Sequence, residues 1–128
     1  MAKAKQLTVS CQNRPGALAH VAKVLGDANV NILAFLTTTA GDDGPVQLVV
    51  DNPRRAKKAL EAGALEYSET DVLHVELPNV PGALASFAGK LGAKEINITC
   101  GYATGVKGSN KASFVLAVSD LDKAARIR

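Results

Sequence analysis

The sequence predicts an α+β fold: one β-α-β-β-α-β unit used twice, each an antiparallel sheet with its helices on one face. Three observations carry this. The block Asn13-Arg14-Pro15-Gly16-Ala17-Leu18-Ala19 returns 66 residues later as Asn79-Val80-Pro81-Gly82-Ala83-Leu84-Ala85. Around each block, segments of period two and a segment of helical period follow in the same order. Runs rich in Gly, Asp and Asn separate them, as turns do.

The same offset pairs Leu7 with Leu73, Val9 with Val75, Ala22 with Ala88, and Leu25-Gly26 with Leu91-Gly92. It also pairs Val30-Asn31-Ile32 with Ile96-Asn97-Ile98, and no gap is needed from residue 7 to about residue 50. Leu7, Val9 and Cys11 alternate with Thr8, Ser10 and Gln12, which predicts a first strand. Leu73, Val75 and Leu77 repeat its phase. A helix follows, with Leu18, Val21, Ala22 and Leu25 as its buried stripe, and Leu84, Phe87, Ala88 and Leu91 in the second copy. His20 falls on the polar side. Pro15 and Pro81 suit the first helical turn.

A second strand is expected over about 30–39 and 96–104. Its Val30, Ile32, Ala34 and Leu36 point one way, and Asn31, Leu33, Phe35 and Thr37 the other. Residues 41–45 and 105–110 read as turns. The third strand covers 46–50, matched within 112–118. Asn52-Pro53 opens a second helix as cap and first-turn residue, and Asp120 opens its partner. A fourth strand is expected at 64–69. This split βαβ order is the ferredoxin-like arrangement. The first module is 6–70. The second, 71–128, stops inside its second helix without a last strand, so its first strand is an edge to be covered by a neighbouring subunit or by the chain's own N-terminus.

The chain has 128 residues, 47% hydrophobic and 21% charged, with a formal charge of +3. No apolar run reaches membrane-span length, and the N-terminus lacks the apolar stretch of a signal peptide, so a cytoplasmic protein without membrane contact is expected. Arg54-Arg55-Lys57-Lys58 reads as a solvated helix face rather than a nucleic-acid patch. Cys11 and Cys100 are too widely spaced for a zinc site and form no disulfide framework.

Leucines and alanines on the helix stripe are explained by packing. The repeated asparagines Asn13/Asn79 and Asn31/Asn97 are not. Asn13 sits in the loop after strand one, whereas Asn31 opens strand two at the opposite end of the sheet. Within one copy the two are therefore not expected to meet; across an interface between copies or chains they can. Gly16 and Gly82 allow close backbone approach. The free N–H groups of a helix start attract a carboxylate, and an amide side chain both donates and accepts. Two explanations stay open: ligand binding, or turn shaping by Asn13 and strand capping by Asn31.

Asn-x-Pro-Gly-Ala-Leu, followed by Asn31-Ile32 and, in the second copy, by Glu95-Ile96-Asn97-Ile98, resembles the signature of ACT domains over about 6–128, as a tandem pair. The resemblance implies regulation by a small ligand, most often an amino acid. It places that ligand between the strand-one loop of one module and the second strand of its neighbour. By position it points to Asn13, Gly16, Ala17, Leu18 and Asn31, and to Asn79, Gly82, Ala83, Leu84 and Asn97. Relatives that bind serine carry a histidine two residues before the loop asparagine, where this chain has Cys11 and Leu77. That speaks against serine and against two equivalent sites.

Other classes fit less well. Catalysis needs a convergent nucleophile and base, and Cys11, Cys100, His20 and His74 are not repeated; no enzyme, metal or cofactor is expected. Residues 101–108 are glycine-rich but lead to a strand, which makes them a hairpin rather than a phosphate loop. An RNA-binding sheet shares the element order but needs exposed aromatics on strands one and three. Gln47, Val49, Asp51, Ser113, Val115 and Ala117 face outward there instead. Leu33, Phe35 and Val49 form an apolar patch away from the helices, which implies a homodimer. The expectation is an amino-acid sensor without a catalytic domain, acting on a partner enzyme or transporter. The alternative is a ligand-free scaffold.

Overall fold

The computed structural model describes residues 2–39 and 41–127. The elements are β1 (Ala2–Val9), α1 (Ala17–Asp27), β2 (Ile32–Thr37), β3 (Val46–Val50), α2 (Pro53–Ala62), β4 (Tyr67–Pro78), α3 (Ala83–Ala93), β5 (Ile98–Gly105), β6 (Lys111–Val118) and α4 (Leu121–Ala125). They divide into two compact units. The first is Lys5–Thr70; the second takes residues 2–4 together with 71–127.

In the first unit the strand order is β2-β3-β1-β4. Leu7 and Val9 of β1, Val46, Leu48 and Val50 of β3, Val21 and Leu25 of α1, and Ala56 and Leu60 of α2 form its core. In the second unit the order is β1-β4-β6-β5, and Leu73, Val75, Leu77, Phe87, Leu91, Leu116 and Ala124 repeat that core. The chain's own N-terminus lies beside β4, so of the two covers expected for that edge the N-terminus is the one used. Lys3 there pairs with Asp122 of α4. Its ammonium holds the Asp122 carboxyl below the ordinary carboxylate range.

Both caps expected of the second helices form. Asn52 Oδ1 accepts from Arg55 N–H and Asp120 Oδ1 from Lys123 N–H, each at 3.0 Å. The helix ends share one device. Val30 N–H donates to Leu25 O and Asn29 N–H to Gly26 O, both at 3.0 Å. Leu65 on Leu60 with Ala64 on Glu61, and Ile96 on Leu91 with Glu95 on Gly92, repeat this Schellman pattern. Asn29, Ala64 and Glu95 take the left-handed conformation it needs, at φ 61, 57 and 59°.

Several expectations are corrected. The fourth strand starts at Tyr67, not Ala64, because Ala64 and Leu65 complete the end of α2; it then runs unbroken to Pro78. The second strands start at Ile32 and Ile98 for the same reason. The stripe residues that open α1 and α3 are exposed, Leu18 at 37% and Leu84 at 48%. Pro15 and Pro81 precede their helices rather than starting them. The repeat is not gapless to residue 50. Phe35 opposes Leu48 and Leu36 opposes Gln47, while Gly101 opposes Leu116 and Tyr102 opposes Val115. The second hairpin is thus two residues longer.

The strand faces also change. Ile32 opposes Val50 and Ala34 opposes Val49, so Leu33 is the extra residue of a β-bulge. Opposed residues share a face, so beyond the bulge Phe35 joins Leu48 on the helix side and Ala34 joins Val49 on the other. Leu33 and Phe35 are half exposed and Val49 is buried; the three do not make the single outward patch expected. β5 has the same bulge at Thr99.

Two outcomes follow. A left-handed alanine costs roughly 1–2 kcal/mol that glycine largely avoids. Ala64→Gly therefore raises unfolding free energy in urea by about 0.5–1 kcal/mol. Half-buried Tyr102 has its phenol pushed up to about 12, first by burial and then by Cys100. The unfolded chain ionises near 10, so the stability Tyr102 contributes is full below pH 10 and lost as pH rises towards 12. Unfolding followed from pH 9 to 12 is less steeply pH-dependent in Tyr102→Phe.

Candidate functional site

The loop after β1 is held from both sides. Ser10 N–H donates to Glu66 O at 2.9 Å, Gly44 N–H to Cys11 O at 2.9 Å, and Asn13 N–H to Asp42 O at 2.7 Å. The chain then turns sharply. Ala17 N–H donates to Arg14 O, and Gly16 sits at φ 87°, ψ −7°. This is a type II turn with Pro15 and Gly16 at its centre, which explains why the proline precedes the helix. Among the described residues no side chain caps α1.

Two cavities flank this loop inside the first unit. The larger, about 370 Å³, is lined by Cys11, Arg14, Gly16, Ala17, His20 and Leu65 among others. The smaller, about 110 Å³, lies towards the end of β2, with Asn13, Leu18 and residues 37–39. Gln12, Arg14 and Ala17 line both. The Asn13 side chain makes no hydrogen bond among the described residues. Burial pushes the Cys11 thiol above its ordinary value, so it is protonated at pH 7.

Asn13, Gly16, Ala17 and Leu18 therefore come together, but Asn31 does not join them. Its N–H donates to Asp51 Oδ1 and its carbonyl accepts from Asp51 N–H, both at 3.0 Å, where β2 begins. Asn97 is bound in the same way to Ser119, through Oγ and N–H, at 2.9 Å. In the second unit Asn79, Gly82, Ala83 and Leu84 occupy the matching loop, with Gly82 again at φ 87°. There the asparagine is engaged: its Nδ2 donates to Val106 O at 3.1 Å and Ser109 O at 3.0 Å. The longer second hairpin brings those carbonyls within reach. Arg14 and Leu65 were not among the expected site residues. Arg14 was detectable as the position where the repeated block departs, to Val80.

This asymmetry fixes an expected outcome. Asn79→Ala removes two hydrogen bonds and lowers the unfolding free energy by about 1–2 kcal/mol. Asn13→Ala, with no such bond among the described residues, stays within about 0.5 kcal/mol of the parent. Chemical denaturation of both variants checks the contrast.

Residues 5–62 match the ACT domain. No curated protein sequence matches. Among solved structures, protein BT0572 from Bacteroides thetaiotaomicron is 35% identical, with a TM-score of 0.90 over 96% of this chain and 84% of that one. The ligand-free regulatory subunit of aspartate kinase from Thermus thermophilus is 17% identical, with a TM-score of 0.72 over 97% of this chain and 88% of that one. The Thermus flavus regulatory subunit is 17% identical at a TM-score of 0.65, over 89% and 81%. At that identity these two share the fold. Residues 5–62 are thus an ACT domain, and the chain as a whole is related to the Bacteroides protein.

Proposed function

We propose that this is a regulatory protein of two ACT modules that binds an amino acid at the loop of the first, with Asn31 contributed by a second copy of the chain. The observation that carries the proposal is the unengaged Asn13 amide on a loop flanked by cavities of about 370 and 110 Å³. An amide left without partners there can hold the ammonium or carboxylate of a ligand. The regulatory subunits whose fold it shares favour a regulatory role. Binding would bias one arrangement of modules and so act on a partner enzyme or transporter.

A homodimer accords with this. β2 is the outer strand of its unit's order, carries no charge from Ile32 to Thr37, and half exposes Leu33 and Phe35. Uncharged edges of this kind pair readily. The second unit supports a different role for its own loop, as a scaffold, because Asn79 is committed to the hairpin.

Thermal melting of the full chain against the twenty amino acids tests the proposal. At a ligand concentration a hundred times Kd the native state gains about 2.7 kcal/mol, which is several degrees. Asn13→Ala removes that shift and Asn79→Ala retains it. If no amino acid raises the melting temperature, amino-acid sensing is wrong. Phe35→Lys is expected to shift sedimentation from dimer to monomer.

A further inference from the structure

We propose that Arg14 makes the first unit's site selective for a ligand of net negative charge: an acidic amino acid rather than a neutral one. The inference rests on the ligand-binding proposal above and adds the class of ligand.

The repeated block is kept at every position but one. Where the first copy has Arg14, the second has Val80. Packing does not explain the arginine, since its side chain is exposed and forms no ion pair among the described residues. It lines both cavities that flank the loop. Neither cavity is lined by an aspartate or glutamate; the turn carboxylates Asp42 and Asp43 line neither. Cys11 is a neutral thiol, and among the described residues His20 is the only other ionisable lining residue. The pocket therefore holds a fixed positive charge with nothing in its walls to balance it.

A neutral amino acid brings one carboxylate and one ammonium, so it leaves that charge uncompensated. Aspartate or glutamate adds a second carboxylate, and a planar guanidinium takes carboxylates in paired hydrogen bonds. A cavity of about 370 Å³ falls within the usual range for small-ligand sites. The second unit offers neither element. Val80 is 60% exposed in place of the cation, and the Asn79 amide is bound to the hairpin. One such site per chain follows.

Calorimetric titration of the full chain with L-aspartate, L-glutamate, L-asparagine and L-glutamine decides it, because each amide matches its acid in size and lacks the charge. The acid is expected to bind at least tenfold tighter than its amide, at one site per chain, and more weakly as salt is raised. Arg14→Val, which installs the residue of the second copy, removes the difference, and Arg14→Lys retains part of it. Melting curves of both variants without ligand match the parent if the side chain has no role in folding. Amides that bind as tightly as acids, or a preference that survives Arg14→Val, overturn the selectivity while leaving amino-acid binding in place. Silence from all four ligands and from the other amino acids overturns both.

Discussion

Leu25 and its repeat Leu91 are fully buried between helix and sheet, and each holds its unit at two points. The side chain anchors α1 or α3 on the core. The carbonyl of the same residue accepts the N–H of Val30 or Ile96, five residues on. The turn so closed aims the chain back along the sheet and drops Val30 or Ile96 into the same core. Replacing either leucine by alanine would remove packing worth about 2–5 kcal/mol and loosen the turn that sets where the next strand begins. Leu60 and Leu65 repeat the device at the end of α2.

That anchor was visible in the sequence because it is periodic. Leucine, valine and phenylalanine at helical spacing mark the stripe whatever surrounds them, and the caps at Asn52 and Asp120 are equally local. The strand faces were harder to read. From Ile32 to Leu36 every residue is apolar, so alternation carries no phase, and one extra residue at Leu33 exchanges the two sides without leaving a trace in the pattern. The end of α2 was misread because alanine is no signal for the left-handed conformation that Ala64 adopts.

The candidate site shows the same division. The loop residues Asn13 to Leu18 were found by repetition, which also placed Asn31 at the far end of its strand. Arg14 escaped because it is not repeated. The engagement of Asn79 depends on hairpin length, which is set by strand register and leaves no mark in the repeated block itself.

Lengthening a surface hairpin by two residues costs little in loop-closure entropy. In the second unit that small change turns a loop amide into an internal staple, with core, caps and turns left as they are. The two halves can therefore drift apart in purpose without drifting apart in shape. One would be held by selection for recognition and the other by selection for rigidity, although both spell the loop with the same asparagine, proline and glycine. Sequence variation at position 79 should track the hairpin from Val106 to Asn110, whereas variation at position 13 should track the ligand proposed for the first loop.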